Sequence, residues 1–102
     1  PFWLAPLQIV ICTITDKFNN YGEKIFKEIS SLGYKVEFDN RNEKISYKIR
    51  EHSHKKVPLI FIIGEKEINT NSITIRELAV EKQTILTLEK TIEFLKKKIE
   101  KK

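Results

Sequence analysis

The chain lacks several features that would place it in a specialised class of protein. It has one cysteine, Cys12, among 102 residues, which excludes an internal disulfide. A single thiol is typical of a reducing compartment, so we expect a cytoplasmic location. The three glycines form no phosphate-binding loop of known spacing. No apolar run reaches the roughly 18 residues of a membrane span and no signal peptide is visible, so we expect no membrane contact.

Methionine is also absent, and the sequence begins Pro-Phe-Trp. We interpret the chain as a segment of a longer protein, with residues 1–6 as a linker remnant and residues 7–102 as one domain. Hydrophobic residues make up 40% of the sequence, enough for a small core without disulfides or metals. The net charge of +5 modestly favours an acidic partner.

Apolar periodicity predicts five strands that alternate at first with helices. The predicted strands are residues 7–14, 35–39, 59–63, 72–76 and 83–86. Three helices are predicted after caps at Thr15–Asp16, Asn42 and Thr87, the first ending at Gly33, and Glu65–Glu67 is predicted to be a polar turn. This order favours an α/β fold with a mixed, mainly parallel five-stranded sheet flanked by three helices.

The apolar positions of these elements predict the core. Its members share one face of a predicted helix or lie in a predicted strand. They are Ile9, Ile11, Ile25, Ile29, Val36, Ile49, Ile60, Ile62 and Leu95. We expect the chain to fold alone as a monomer around them.

Catalysis and metal binding find little support in the sequence. Asp16 and Asp39 would lie at the carboxyl ends of adjacent parallel strands, where a carboxylate pair could do acid–base work, but a helix cap and a turn residue explain them better. His52 and His54 are two residues apart, so they face different sides of a helix and do not readily share a metal. We therefore predict no catalytic residue, no metal site and no cofactor in this chain.

The second predicted helix has a basic character that differs from the rest of the chain. The residues in and around this helix that we predict to contact the backbone of a polyanion are Arg41, Lys44, Lys48, Arg50 and Lys56. We expect Ile45 and Ile49 to point inward and Lys44 and Lys48 to line a different face. A merely solvated face explains such charge about equally well.

Three further polar residues favour a nucleic-acid partner over a solvated face. Asn42 at a helix start, Glu67 after a strand and Arg76 on an alternating strand could converge on one surface. Amide, carboxylate and guanidinium groups can read base edges, whereas lysines only neutralise phosphates. RNA presents such edges in splayed loops. An acid–base enzyme and a non-catalytic scaffold domain stay as rival hypotheses.

Several sequence blocks together resemble a known family. They are Phe2–Gln8, Ile14–Asp16, Asp39–Ile45 with Tyr47–Glu51, Lys56–Pro58, Gly64–Glu67 and Ile75–Arg76. In these blocks the chain resembles the C-terminal anticodon-binding domains of bacterial-type threonyl-tRNA synthetases, closely over residues 1–76 and loosely in the last helix. Related domains of prolyl-, glycyl- and histidyl-tRNA synthetases are the nearest alternatives.

The resemblance implies a function for the domain and for the protein that would contain it. The domain would bind the anticodon loop of threonine tRNA, while a separate class II catalytic domain joins threonine to the tRNA with ATP, Mg and Zn. By position, the family's base-reading residues correspond to Asn42, Glu67 and Arg76, with Arg50 and Lys56 in the supporting surface. The fragment itself would be non-catalytic, and the full-length protein a homodimer.

Three departures from the family pattern matter for this expectation. Ser46 stands where the family usually has glycine. Lys56 stands where arginine is common, and lysine lacks the planar fork of a guanidinium. Residues 77–84 lack the usual Arg- and Gly-rich hairpin, which puts backbone contacts from that hairpin in doubt.

Overall fold

The computed structural model describes residues 5–41, 43–78 and 80–100. The strands are β1 (Ile9–Thr13), β2 (Val36–Asp39), β3 (Leu59–Ile63), β4 (Ser72–Glu77) and β5 (Lys82–Thr87). The helices are α1 (Asn19–Ser31), α2 (Ile45–His54), α3 (Glu65–Asn69) and α4 (Leu88–Glu100), and a 3₁₀ turn at Asp16–Phe18 leads into α1. No helix among these residues combines the length and apolar character that a membrane crossing needs.

The strands form one sheet in the order β2-β1-β3-β4-β5. β1 pairs in parallel with β2 and β3, while β4 pairs antiparallel with β3 and β5. Four strands therefore run in one direction and only β4 runs against them. The β-branched, fully buried sequences of β1 and β3 suit central strands covered on both faces. The predicted mixed α/β sheet is confirmed.

The two faces of the sheet carry separate apolar clusters. Alternate residues of β1 and β3, such as Ile9, Ile11 and Phe61, pack with α1 and α4 into the larger cluster. The other residues of the same strands, such as Val10 and Ile60, pack against α2 in the smaller one. Seven of the nine predicted core residues are buried, and the other two, Val36 and Ile49, are half-buried against these clusters.

α2 covers only part of its face of the sheet. Its cluster draws strand residues from β1 and β3, and none from β4 or β5. On this side Thr74 lies opposite Ile85 and Arg76 lies opposite Gln83 in the β4–β5 ladder. Ile85 is 50% exposed. We call Arg76, Gln83 and Ile85, which adjoin the buried Thr74, the open sheet face.

Two predicted details of the local structure are wrong. Glu65–Glu67, predicted to be a turn, begins the short helix α3, because the Glu67 carboxylate accepts a hydrogen bond from the Gly64 amide and so caps the first turn. The second helix begins at Ile45 with Lys44 in the N-cap position, two residues later than the cap predicted at Asn42. Asn42 itself lies outside the described residues, as do residues 1–4 of the predicted linker.

Other predicted boundaries are confirmed. Gly33 follows α1 with φ of +94°, the left-handed conformation that glycine adopts without strain. Thr87 precedes α4, and its Oγ1 accepts a 3.4 Å hydrogen bond from the Lys90 amide. After α2 the chain turns at Lys56, which adopts a φ of +59° without being glycine. The turn at Lys56 follows the C-terminal end of α2, the helix that carries the candidate residues Lys48 and Arg50.

Candidate nucleic-acid interface

The end of β2 is tied to α2 through Asp39. Arg41 donates from Nε to Oδ1 at 2.9 Å and from Nη2 to Oδ2 at 2.8 Å, and it also pairs with Glu51 on α2 at 2.9 Å. Burial alone would raise the pKa of Asp39, but hydrogen bonds from Arg41 and His52 outweigh burial and hold this pKa well below its usual range. Arg41, predicted to contact an RNA backbone, is thus engaged within the protein.

A buried cluster of potential metal ligands surrounds the same aspartate. Ligand atoms of Cys12, Asp39 and His52 lie within 4.8 Å of one another. However, Oδ2 of Asp39 already bonds Nε2 of His52 at 2.8 Å, and the positive groups of Arg41 and Lys48 lie close by. Burial also raises the pKa of the Cys12 thiol to about 12. These neighbours disfavour a bound cation. We interpret Cys12, Asp39 and His52 as a polar hub, a buried cluster whose contacts join β1, β2 and α2.

Lys48 adjoins this hub and is not on a basic surface. Its side chain is 1% exposed, and Nζ donates to the carbonyl oxygens of Thr13 at 3.0 Å and Asp39 at 3.1 Å. These carbonyls end β1 and β2, where the parallel ladder no longer supplies donors. The prediction that Lys48 lines an exposed face is therefore wrong. A side chain held in this way cannot reach a phosphate without leaving both carbonyls.

The acid–base alternative also loses support from this geometry. Asp39 is occupied by Arg41 and His52, whereas Asp16 is exposed in the 3₁₀ turn. A carboxylate engaged by two donors is poorly placed to accept a substrate proton. The structure therefore gives the pair no shared catalytic position.

Glu67, a predicted base-reading residue, is 7% exposed. Its Oε1 accepts from the Gly64 amide at 2.7 Å and its Oε2 accepts from Thr74 Oγ1 at 2.8 Å. The contact with Thr74 places the carboxylate against the open sheet face. Each carboxylate oxygen can accept a second hydrogen bond, so Glu67 retains some capacity to accept from a base.

Arg76, the second predicted base-reading residue that the structure describes, lines an open cleft between β4 and α2. The cleft has a volume of about 410 Å³. Its walls are Ser46, Ile49, Arg50, Ser53, His54 and Arg76. Arg76 and Thr74 alternate onto the same face of β4, so Glu67 and Arg76 meet one surface. The predicted convergence of these two residues agrees with this geometry, and their role in reading bases stays a prediction.

The remaining basic residues do not form a single patch. Lys44, Arg50 and Lys56 are all exposed, but Lys44 precedes α2 and Lys56 follows it. A ten-residue helix is about 15 Å long, so its two ends are far apart. Arg50 is the residue of this set that lines the cleft with Arg76.

Sequence reasoning gave no role to Tyr47. This side chain is 48% exposed on α2 and lines a second cleft of about 160 Å³ with Ser46 and Arg50. The two clefts share the wall residues Ser46 and Arg50, so they lie next to each other along α2. An aromatic residue among the charged positions of α2 was the available signal for this site.

Comparisons with known proteins agree with the geometry. A family model described as "Anticodon binding domain" matches residues 8–98. A threonine–tRNA ligase of Caulobacter vibrioides is 46% identical over 96 residues, which cover 94% of this chain but only 15% of the ligase. The chain therefore spans about a seventh of the length of the curated relatives it matches.

Solved structures give the same fold. The RNA binding domain of threonyl-tRNA synthetase from Cryptosporidium parvum Iowa II superposes with a TM-score of 0.91 at 30% identity, covering 95% of this chain and 24% of that one. A prolyl-tRNA synthetase from Cryptosporidium parvum superposes with a TM-score of 0.89 at 19% identity, covering 99% of this chain and 22% of that one. At 19% identity the second likeness shows the fold alone.

Proposed function

The chain belongs to the family of anticodon-binding domains, and on that basis we propose that it recognises the anticodon loop of threonine tRNA as one domain of a threonine–tRNA ligase. The similarity to a ligase at 46% identity supports this choice over the prolyl-type domain, whose likeness is confined to the fold. The chain's own part is recognition. Attachment of threonine with ATP would occur in a separate catalytic domain.

The observation that carries the proposal is the placement of Arg76. Its guanidinium lines an open cleft beside a sheet face that α2 leaves uncovered, with Arg50 on the same cleft. Threonine anticodons end in G-U, and a guanidinium can donate twice to the acceptor edge of guanine. Glu67, which bonds Thr74 on the same strand face, can accept from a base N–H. One arginine is thus available for a base and the other for a phosphate.

We further propose the setting in which this domain works. The full-length ligase would act in the cytoplasm as a homodimer and would use ATP, Mg and Zn in its catalytic domain. Asn42 would complete the base-reading set from the loop that Arg41 anchors to Asp39. The rival scaffold hypothesis differs in one respect that can be measured, since a scaffold has no anticodon preference.

A binding series with the 102-residue chain tests the proposal. Fluorescence anisotropy would compare a threonine-tRNA anticodon stem-loop with loops changed at the middle base, changed at the last base, or fully scrambled, at several salt concentrations. We expect salt-dependent binding and a loss of about tenfold or more for each single change. Equal binding to all loops would contradict the proposal. Tighter binding to a proline or histidine anticodon would assign the domain to another synthetase.

A further inference from the structure

Tyr47 is held in a fixed position although nearly half of it faces solvent. Its hydroxyl donates to the Glu51 carboxylate one helical turn later, and this hydrogen bond raises the pKa of Tyr47. The guanidinium carbon of Arg41 lies 5.8 Å from the centre of its ring. Arg41 is itself fixed by Asp39 and Glu51. The ring is therefore anchored at its edge and on one face.

Tyr47 also borders the smaller of the two clefts and is 48% exposed. The small cleft against Tyr47 is lined by Ser46, Tyr47 and Arg50, and Arg41 is not among its walls. Arg41, which lies over the ring, therefore does not close this cleft. Ser46 is small and exposed, so it leaves the approach to the ring clear. Arg50 supplies a positive charge at the same opening.

We infer that Tyr47 is a preformed stacking platform for one unpaired base of the anticodon loop, with Arg50 beside it for the adjoining phosphate. This inference rests on the proposed function and adds a recognition residue to it. Stacking on an aromatic ring tolerates any base, because every base has a π face. Tyr47 therefore supplies affinity at a loop position next to the bases that Arg76 reads, and it supplies little sequence preference.

The arrangement also reduces the ordering needed on binding. A tyrosine side chain has few rotatable bonds. Here its hydroxyl bonds Glu51 and its ring lies against Arg41, so its motion is already restrained. A base that stacks on it meets a ring already in place, so little conformational entropy is lost at that moment. A solvated, unanchored tyrosine would lose more of its freedom on stacking.

The test uses two substitutions in the 102-residue chain and one matched control. Tyr47→Leu removes the π face but keeps apolar bulk, and Tyr47→Phe keeps the ring while losing the hydroxyl. Leu32→Ala serves as the control, since Leu32 is 47% exposed at the end of α1 on the opposite side of the sheet. Circular dichroism and urea titration would establish that all three variants are folded before binding is compared.

Binding and base fluorescence would be measured together. The probes are threonine anticodon stem-loops that each carry 2-aminopurine at a single loop position. We expect one position to be quenched on binding to the parent, to stay quenched with Tyr47→Phe, and to recover with Tyr47→Leu. Affinity should fall about 5- to 100-fold for Tyr47→Leu, fall clearly less for Tyr47→Phe, which loses only the contact with Glu51, and stay unchanged for Leu32→Ala.

Two results would overturn the stacking role while leaving the proposed function intact. One is a Tyr47→Leu variant that binds and quenches like the parent. The other is a Tyr47→Phe variant that loses as much affinity as Tyr47→Leu, because the hydroxyl and not the ring would then matter. If the parent chain itself shows no preference for the threonine anticodon loop, the proposed function fails first and the stacking role fails with it.

Discussion

The guanidinium of Arg41 donates hydrogen bonds to both carboxylate oxygens of Asp39, at 2.9 and 2.8 Å, although the two residues are only two positions apart. Because Arg41 also reaches Glu51 on α2, this pair joins the end of β2 to the side of the helix. Arg41, expected to contact an RNA backbone, thus also has a structural role, and its contact with RNA stays a prediction.

The first prediction concerns the acid stability of this pair. The folded pKa of Asp39 is depressed, so its stabilisation is fully present above the unfolded value of about 3.9 and is lost as pH falls below that value. Asp39→Asn should cost about 2–3 kcal/mol at neutral pH and should flatten the fall in unfolding free energy between pH 5 and pH 2. Urea unfolding at neutral pH and at several pH values between 5 and 2 measures both effects. Asp16→Asn, at an exposed site, should follow the parent curve.

A second prediction concerns Lys48. Lys48→Ala should destabilise the chain by about 2–4 kcal/mol, because it leaves the Thr13 and Asp39 carbonyls without their donor and opens space beneath α2. Lys48→Met keeps the aliphatic stem and should lose less. Denaturant titration distinguishes these variants from Lys24→Ala, which changes an exposed lysine of α1. A fully stable Lys48→Ala chain would show that the buried ammonium is dispensable.

The third prediction separates phosphate contacts from base contacts. Arg50→Ala should weaken binding to every RNA loop alike and should reduce the slope of log affinity against log salt by about 0.7. Lys24→Ala, on the helix that packs against the other sheet face, should leave this slope unchanged. Affinity measured at four or more salt concentrations gives the slope. A loss confined to one anticodon would instead make Arg50 a base reader.

The fourth prediction concerns Arg76. Arg76→Ala should cost about 1–3 kcal/mol of binding to the cognate loop and much less with loops altered at the middle or last anticodon base. Arg76→Lys should not restore the preference, because lysine keeps the charge without the planar fork. Binding of each variant to single-base anticodon changes provides the test. If Arg76→Lys discriminates between the anticodon loops as the parent does, Arg76 contributes only positive charge and does not read a base.

The fifth prediction concerns Gly22 in α1. A Cβ added here would lie 2.8 Å from Phe38 Cε1 and 2.9 Å from Thr13 Cγ2. Alanine gains about 1 kcal/mol of helix propensity, but overpacking costs about 1–3 kcal/mol, so Gly22→Ala should be destabilising by up to about 2 kcal/mol. Ser30→Ala, on the exposed side of the same helix, should be neutral or slightly stabilising. Thermal unfolding would compare the two.

Much of the fold could be predicted because local pattern and tertiary packing agree. The β-branched runs of β1 and β3 have no polar face, so they had to be central strands. The helix boundaries at Gly33 and Thr87 could be predicted from the residues themselves. Gly33 adopts a positive φ without strain, and the Thr87 hydroxyl accepts a hydrogen bond from a helix amide. Arg76 could be placed on an alternating strand for the same reason, since position 76 shares a face with position 74.

Other features depend on contacts that lie far apart in sequence. Positions 45, 48, 49 and 52 share one face of α2, so periodicity alone would have buried Lys48 and His52, but their residue types argued for solvent. What reverses that argument is the pair of strand-end carbonyls that Lys48 satisfies. The cap that Glu67 forms with Gly64 is local, but its carboxylate is fixed as well by Thr74 on the next strand. The role of Tyr47 depends on Arg41 and Glu51 being brought to its ring.

The central position of β1 also has a consequence for how the chain folds. Its two parallel partners, β2 and β3, lie later in the chain on either side of α2. Both edges of β1 therefore pair with residues that are distant in sequence. The β4–β5 hairpin needs only a short connection and can pair within microseconds, whereas parallel pairings at long sequence separation close slowly. During synthesis the apolar strand β1 is therefore exposed before the strands that pair with it have been made. In that interval a nascent chain is most vulnerable to aggregation.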